Sequence, residues 1–313
     1  MKFFKDKTHI DFMGKRRIAL GGSSLAVLTS IVFLVIFGLN FGLDFTGGTE
    51  VEARFEKAPE ISAVRESLTK AGMPDAVVQT FGTPDEILVR IPLSAKNEKP
   101  ADQATVVITA LDKDFDGKVE MRSSGYVGPQ VGEELTEQGI LAVLYALIGI
   151  FIYVMFRFQW RFSAGAVIAV IHDVLITLGV LSILKVSFDL TVVAAVLAVV
   201  GYSLNDTIVV YDRIRENFPR LGKHTPAGVI NVSVNETLSR TIMTSGTTLL
   251  VLFALFFLGG EAIHAFALTL IVGIAVGTYS SIYVASAATL LLGVSKYDLL
   301  SVEKEGADVR TRP

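Results

Sequence analysis

Six long apolar stretches constrain this chain most, because each is close to the ~20 residues that an α-helix needs to cross a bilayer. They are Ile18–Leu39, Gly139–Phe156, Phe162–Leu184, Leu190–Tyr211, Thr241–Gly260 and Ala262–Val294. Only 19% of the residues are charged, whereas soluble domains carry about 25%. We therefore predict an α-helical membrane protein with six transmembrane helices. The first is expected to remain as an anchor, because it is too long for the core of a signal peptide.

The distribution of Lys and Arg predicts the orientation of these helices, since basic residues concentrate in cytoplasmic loops. The first 17 residues carry six basic side chains, and the segment between the fourth and fifth stretches carries five. The loop between the third and fourth stretches has only Lys185. Both termini are therefore expected in the cytoplasm and the long segment 41–135 outside. The glycosylation-like triplets at Asn231 and Asn235 then lie in the cytoplasm, which favours chance matches.

This topology divides the chain into five parts. It predicts a cytoplasmic segment at 1–17, a first transmembrane helix at 18–40, an external domain at 41–135, helices two to six within 136–294 and a cytoplasmic tail at 295–313. A cytoplasmic loop is expected at 212–240, because the five basic residues between the fourth and fifth apolar stretches lie in this segment.

The external segment has the pattern of a small α+β domain. Strands are predicted at Val51–Phe55, Ala76–Phe81, Glu86–Ile91 and Lys118–Arg122, and helices at Ile61–Ala71 and Ala101–Leu111. The order β-α-β-β-α-β is that of the ferredoxin-like split unit. The carboxylates of this segment, which include Asp44, Glu50, Glu52 and Glu56, are expected on a solvated strand edge. They have no paired histidine, serine nucleophile or metal-ligand spacing, and the chain has no cysteine, so no catalytic or metal site is predicted.

Two carboxylates fall inside the apolar stretches. Asp206 lies in the fourth, where a charge costs about 2.5–3.5 kcal/mol and by default marks a functional site. It precedes Asp212 by six residues, about 9 Å along a helix, and Arg240 begins the fifth stretch from the same side. Burial favours the neutral acid and a nearby cation favours the carboxylate. The pair is therefore a candidate proton relay, with a static ion pair as the alternative.

A second polar group lies near the membrane midplane in the third stretch, at His172 and Asp173. It is a secondary candidate for proton transfer, and the alternative is a structural contact between helices. Asn205 and Thr207, beside Asp206, are expected either to line a hydrated path or to form hydrogen bonds across helices.

Four segments resemble signatures of the SecD/SecF family. They are Phe41-Gly-Leu-Asp-Phe-Thr-Gly-Gly-Thr-Glu50, Val127-Gly-Pro-Gln-Val-Gly132, the run from Gly201 through Asp206 to Asn217, and Asn235-Glu-Thr-Leu-Ser-Arg-Thr241. The layout of six spans with one large loop after the first resembles half of an RND-type transporter. The compact external domain favours the SecF-type branch, because SecD-type members carry a much larger one.

The resemblance implies a subunit without hydrolytic chemistry, in the bacterial inner membrane with its external domain in the periplasm. It would use the proton-motive force, with protons as coupling ion and no cofactor, to assist late-stage export of polypeptides. Asp206 would be the proton-relay aspartate and Arg240 its arginine. The implied hinge of the external domain comprises Asp44, Gly47, Gly48, Gly128 and Gly132.

The same resemblance implies the partners. These would be a SecD-type subunit, the SecYEG channel, a YajC-like small membrane protein, the exported unfolded polypeptide and the lipid bilayer, with no nucleic acid. Two alternatives stay open. One is a half-sized RND-type exporter of lipids or small molecules, and the other is a passive scaffold of the translocon.

Overall fold

The computed structural model describes residues 8–92, 100–116 and 118–294. Six helical segments in it are long and apolar enough to cross a membrane, one for each predicted stretch. They are α1 (Arg16–Phe37), α5 (Pro129–Arg157), α6 (Trp160–Ile183), α7 (Leu190–Arg220), α8 (Pro226–Leu258) and a last segment formed by α9 (Glu261–Ser280), a π-helical turn (Ser281–Ala285) and α10 (Ser286–Leu291).

Two of these helices continue beyond the apolar stretches, so most of the segment predicted as a loop at 212–240 is helical. Helix α7 runs on to Arg220 and α8 begins at Pro226, so the connection is only 221–225. The extensions form because buried side chains recur with helical spacing on both helices. These are Tyr211, Ile214, Phe218, Val229, Ile230 and Val234. Thr225 caps α8 by accepting a hydrogen bond from the Gly228 amide at 3.2 Å, which fixes where that helix starts.

The segment between α1 and α5 forms a four-stranded sheet with two helices. Its elements are β2 (Gly48–Phe55), α3 (Ile61–Lys70), β3 (Val77–Phe81), β4 (Thr83–Ile91), α4 (Pro100–Asp114) and β5 (Val119–Val127). The strand order is β3-β4-β2-β5 and all neighbours are antiparallel, which is the split β-α-β-β-α-β arrangement. Alternate residues of β2, including Val51 and Phe55, share a core with Val64 and Leu68 of α3.

Short elements join this domain to the helices. Strand β1 (Asn40–Phe41) pairs in parallel with β6 (Ser187–Phe188), in the loop between α6 and α7. Helix α2 (Leu43–Thr46) follows β1, and its Phe45 ring lies 5.8 Å from Phe188. The chain therefore reaches the sheet only after contacting the outer ends of α6 and α7.

The first described residues contact the N-terminal part of α8, at the end of the helices opposite β1 and β6. The Asn231 side-chain carbonyl accepts hydrogen bonds from the amides of Phe12 and Met13 at 2.8 and 3.0 Å. Asn235 binds Ile10 in the same manner, accepting from its amide and donating to its carbonyl. Both glycosylation-like asparagines are therefore occupied by internal contacts.

Candidate functional site

Asp206 lies in the interior of the helix bundle, with 4% of its surface exposed. Its Oδ2 accepts a hydrogen bond from the Ser245 hydroxyl of α8 at 3.3 Å. Ser245 in turn accepts one from Thr278 of α9 at 2.8 Å. This is sparse solvation for a buried carboxylate, which ordinarily needs several donors to offset its loss of water.

Arg240 does not form an ion pair with Asp206 in the described structure. Its side chain is exposed, and the described part of the chain contains no ion pair between Asp206 and Arg240, so the static pair is not formed. The reason is rotational, because Ser245 faces Asp206 and five residues separate it from Arg240, about 140° around a helix. The Arg240 charge acts on Asp206 through space instead.

Ser245 and Thr278, which the sequence analysis did not predict, connect Asp206 to α8 and α9. The hydroxyls of Thr207, a predicted candidate, and of Thr241, which was not predicted, are buried without a hydrogen-bond partner in the described structure. Thr241 and Ser245 are four residues apart on one face of α8. That spacing of hydroxyls inside an apolar stretch is the signal that would have identified them.

Asn205 and Thr207 flank Asp206 in sequence but lie on different sides of α7. Thr207 is buried, whereas Asn205 is exposed on the outer face of the bundle. It ends a stripe of exposed residues on α7 that we call the small stripe: Thr191, Ala194, Ala198, Gly201 and Asn205. Asn205 therefore points away from the carboxylate that it was expected to assist.

His172 and Asp173 form a second buried site on α6. Asp173 is 1% exposed, and its Oδ2 accepts hydrogen bonds from Ser203 of α7 at 2.5 Å and Ser280 of α9 at 2.6 Å. Its Oδ1 lies 2.8 Å from Nδ1 of His172. The imidazole also stacks on the Tyr279 ring of α9, with 6.4 Å between centroids. Three helices thus meet at this carboxylate.

The Gly-rich segments predicted to be a hinge pack closely against each other in the structure and form a joint. Gly132 lies inside α5, and a Cβ there would lie 3.3 Å from the Gly47 nitrogen. Gly48 has a φ of +125°, and a Cβ on it would lie 2.3 Å from the Ile91 carbonyl oxygen. Gly128 is the N-cap of α5. Glycine is required at Gly48, because its φ is positive and the Ile91 backbone approaches so closely, and a small residue suits the tight contact at Gly132.

Side chains reinforce this joint. The Asp44 carboxylate accepts a hydrogen bond from the Leu190 amide at 3.0 Å, at the start of α7. Arg90 of β4 pairs with Glu50 of β2 at 2.7 Å and donates to the Ser187 hydroxyl at 2.6 Å. The domain that contains the four-stranded sheet is therefore tied to the loop between α6 and α7 through charged contacts.

The external carboxylates correct a second expectation. Glu50 and Glu52 belong to β2, an inner strand of the sheet, and not to a solvated edge. Partial burial, together with the charges of Glu50 and Glu86, raises the pKa of Glu52 above its usual range. Glu56 pairs with Lys118. Within the described ranges, no three histidine or acidic side chains are grouped as metal ligands.

Comparison with known families accounts for the whole layout. The model of the family described as protein export membrane protein SecD/SecF, C-terminal, matches residues 107–295, and that of the SecD/SecF GG motif matches residues 32–59. The protein translocase subunit SecF of Vibrio alginolyticus is 50% identical, covering 100% of this chain and 99% of its own. The SecF subunit of Magnetococcus marinus is 53% identical, covering 93% and 94%.

Solved structures agree with the sequence relatives. The crystal structure of SecDF, a translocon-associated membrane protein from Thermus thermophilus, matches with a TM-score of 0.82 and 40% identity. The match covers 93% of this chain and 39% of the SecDF chain, so this chain spans well under half of that protein. A super-membrane-facing form of SecDF matches with a TM-score of 0.69. The chain is therefore a multi-pass membrane protein of the SecD/SecF family of protein-export proteins, with SecF subunits among its relatives.

Proposed function

We propose that this chain is a SecF-type subunit that uses the proton-motive force to assist the late stage of polypeptide export. Asp206 is the proton-binding group, and Arg240 is the cation that favours its charged form. One observation carries the proposal. Within the described residues, a carboxylate buried between three helices of an export-family protein accepts one hydrogen bond, of 3.3 Å, so few contacts stabilise its charged form.

The energies involved are of matching size. A carboxylate inside a membrane costs about 2.5–3.5 kcal/mol on insertion scales. A proton that crosses a potential of 100 mV releases about 2.3 kcal/mol. Protonation of Asp206 therefore changes the stability of one helix arrangement by an amount comparable to the driving force, which is the condition for biasing a conformational step.

Helix α7 is the mechanical link in this proposal. It carries Asp206 in the bundle, and its first residue, Leu190, binds Asp44 of the joint. Sixteen residues separate the two ends of this link, about 24 Å along the helix. A small tilt of α7 on proton uptake would therefore displace the attachment of the external domain.

The location and partners follow the same proposal. The distribution of Lys and Arg supports a location in the inner membrane, with both termini in the cytoplasm and the ferredoxin-like domain in the periplasm. The small stripe of α7 suits close approach by a partner helix, and a SecD-type subunit is the proposed occupant. SecYEG, a YajC-like protein and the unfolded client complete the assembly. Protons are its coupling ion, and it has no hydrolytic chemistry of its own.

The exporter alternative needs a hydrophobic pocket in the external domain. The cavity that the structure shows there lies between α3 and α4 and is flanked by Lys70, Lys113 and Asp114. Charged walls do not suit a lipid, since burying them costs free energy without pairing. No observation favours this alternative over export.

The test is Asp206→Asn, with export of a late-stage intermediate measured in membrane vesicles under an imposed proton gradient. Loss of the gradient-dependent rate is expected, with normal assembly with the SecD-type partner. Asp212→Asn is the matched control. It removes a carboxylate from the same helix, but the Asp212 carboxylate pairs with Arg157 outside the bundle. Normal export by assembled Asp206→Asn would contradict the proposal and leave the passive scaffold.

A further inference from the structure

The His172–Asp173 site has an unused basic atom that the proposed function does not explain. Nε2 of His172 is buried and has no hydrogen-bond partner in the described structure. The side chain of His172 is 7% exposed and that of Asp173 is 1% exposed. A buried, unpartnered polar atom is costly, so its retention beside a carboxylate calls for a reason.

The hydrogen bonds around Asp173 define the protonation state of the pair. The hydroxyls of Ser203 and Ser280 both reach Oδ2, at 2.5 and 2.6 Å, and Nδ1 of His172 reaches Oδ1. A carboxylate accepts all three contacts at once, because an ionised carboxylate is an acceptor only. The proton of the neutral imidazole then lies on Nδ1, which leaves a lone pair on Nε2.

Uptake of a proton at Nε2 converts this pair from a net negative charge to a neutral ion pair. In a medium of low dielectric, an unpaired charge is costly and an adjacent opposite charge offsets that cost. The environment thus supplies a reason for His172 to accept a proton, and Asp173 holds the ring in the required orientation.

The groups that face this site are few. Helix α9 contributes Tyr279, stacked on the imidazole, and the π-helical turn contributes Tyr283, whose ring lies 5.2 Å from Tyr279. Helix α7 contributes Ser203 and, one turn further, Asp206. Helix α1 contributes the Ser23 hydroxyl, which contacts the Tyr279 hydroxyl at 3.2 Å, and its charged residues Arg16 and Arg17 begin the helix at its cytoplasmic end.

We propose that His172 is a second proton-binding residue of this chain, with Asp173 as its positioning carboxylate. The proposal rests on the proposed function, because it adds a site to the same proton-coupled bundle. Ser203 and Asp206 are three residues apart on α7, about 4.5 Å along the helix. On α9, Ser280 donates to Asp173, and Thr278 donates to Ser245, which in turn donates to Asp206. Both sites therefore act on the same two helices.

The site also has its own connection to α1. The Tyr279 hydroxyl donates to the Ala19 carbonyl oxygen at 2.9 Å. Charging the imidazole strengthens its attraction to the Tyr279 ring, because an aromatic face favours cations. A proton on His172 would thus hold α9 more firmly against α6, through the same Tyr279 side chain that contacts α1.

Nitrogen NMR of the full chain with its SecD-type partner in lipid bilayers tests the proposal directly. With His9, His224 and His264 replaced by Gln, the ¹⁵N-labelled imidazole of His172 should change from one protonated nitrogen to two between about pH 8 and pH 5. Asp173→Asn, in the same background, should abolish that change within this range. A single unchanging signal in the otherwise unaltered protein would overturn the proposal.

Export by His172→Gln separates this inference from the proposed function. Gradient-driven export should be lost or slowed severalfold and should lose part of its pH dependence, while His224→Gln, in the exposed loop before α8, should match the unaltered protein. If His172 titrates and Asp206→Asn exports normally, the proposed function fails and proton binding by His172 stands. If Asp206→Asn blocks export and His172 does not titrate, only the second site is lost.

Discussion

Asp173 and Asp206 are almost equally buried, with 1% and 4% of their surfaces exposed, yet they are solvated very differently. Asp173 accepts contacts from His172, Ser203 and Ser280, which belong to three helices. Asp206 accepts one long hydrogen bond from Ser245. Burial alone therefore does not distinguish the two sites, and the number of donors does.

The difference indicates separate roles for the two carboxylates. Three contacts fix the position of Asp173, since hydrogen bonds to a charged group are worth about 1.5–3 kcal/mol each. That suits a junction between helices and a support for an imidazole. One weak donor and a distant cation leave Asp206 able to change its charge at low cost, which suits a proton-binding group.

The largest expected effect is on stability, from Asp173→Ala. This change leaves the Ser203 hydroxyl and the imidazole N–H without the acceptor they use, at about 1–3 kcal/mol for each buried donor, while Ser280 keeps only its longer contact with the Gly277 carbonyl at 3.2 Å. We expect a loss of about 3 kcal/mol or more in the free energy of unfolding. Asp206→Ala should change it by less than about 1 kcal/mol, because it removes one weak contact and a buried charge.

Denaturant unfolding of the purified chain in detergent measures both variants. Asp173→Asn is the control for side-chain volume, because it keeps one carbonyl acceptor and should fall between the unaltered protein and Asp173→Ala. Equal losses for the two alanine variants would remove the distinction between a supporting carboxylate and a labile one.

The sequence alone predicted the parts of the molecule that depend on composition and period. The six spans and the strands and helices between α1 and α5 follow from hydropathy and alternation, which are local properties. Most of the segment predicted as a loop at 212–240 is helical. A hydropathy window missed this because it detects the apolar part of a helix and not its polar continuation. Ile214 and Ile230 continue the helical pattern among charged neighbours.

Contacts that depend on how a helix is rotated about its axis were harder to predict from the sequence. Depth along the membrane placed Asp206 and Arg240 together, but the turn of α8 presents Ser245 to Asp206 instead. The same limit hid Ser280, whose contact with Asp173 joins residues 107 positions apart. The same rotation turns Asn205 away from Asp206, since adjacent residues on a helix point in directions about 100° apart.

Serine-to-alanine changes sharpen the comparison at the level of single hydrogen bonds. Ser280→Ala removes one of the two short contacts on Asp173 and should cost about 1.5–3 kcal/mol of unfolding free energy. Ser245→Ala removes the longer contact on Asp206 and should cost less than about 1 kcal/mol. The two changes are chemically identical, so each is the other's control in denaturant unfolding. A larger loss for Ser245→Ala would contradict the donor-based distinction.

Arg240 tests whether the charge near Asp206 acts through space. A charge interaction across about 10 Å near a protein surface is worth about 1–2 kcal/mol, so Arg240→Gln should slow gradient-driven export on the order of tenfold. Arg240→Lys keeps the charge and loses only the planar guanidinium. It should retain most of the export rate, because no bidentate contact with Asp206 exists to be lost. Equal impairment by both substitutions would show that the arginine makes a specific contact during the cycle.

Glu52 extends the comparison to a water-facing carboxylate, where the smallest effect is expected. Its pKa is raised by partial burial and by Glu50 and Glu86, so the folded state binds its proton more tightly than the unfolded state. The resulting stabilisation is complete below the unfolded pKa, near 4.5, and is lost as the pH rises through the folded pKa. Glu52→Gln should therefore stabilise β2 at neutral pH, by less than about 0.5 kcal/mol because solvent screens exposed charges.

Hydrogen exchange of the β2 amides in the full chain measures this change locally. The protection gained by Glu52→Gln at neutral pH should disappear in acid, where the native glutamate is itself neutral. Asp85→Asn is the opposite control, since contacts with Thr83 and Arg54 lower the pKa of Asp85 and its removal should weaken protection at neutral pH. If Glu52→Gln lowered protection instead, the Glu52 carboxylate would be a stabilising acceptor. A small number of hydrogen-bond donors would then not identify the carboxylates of this protein that change their charge easily, including Asp206.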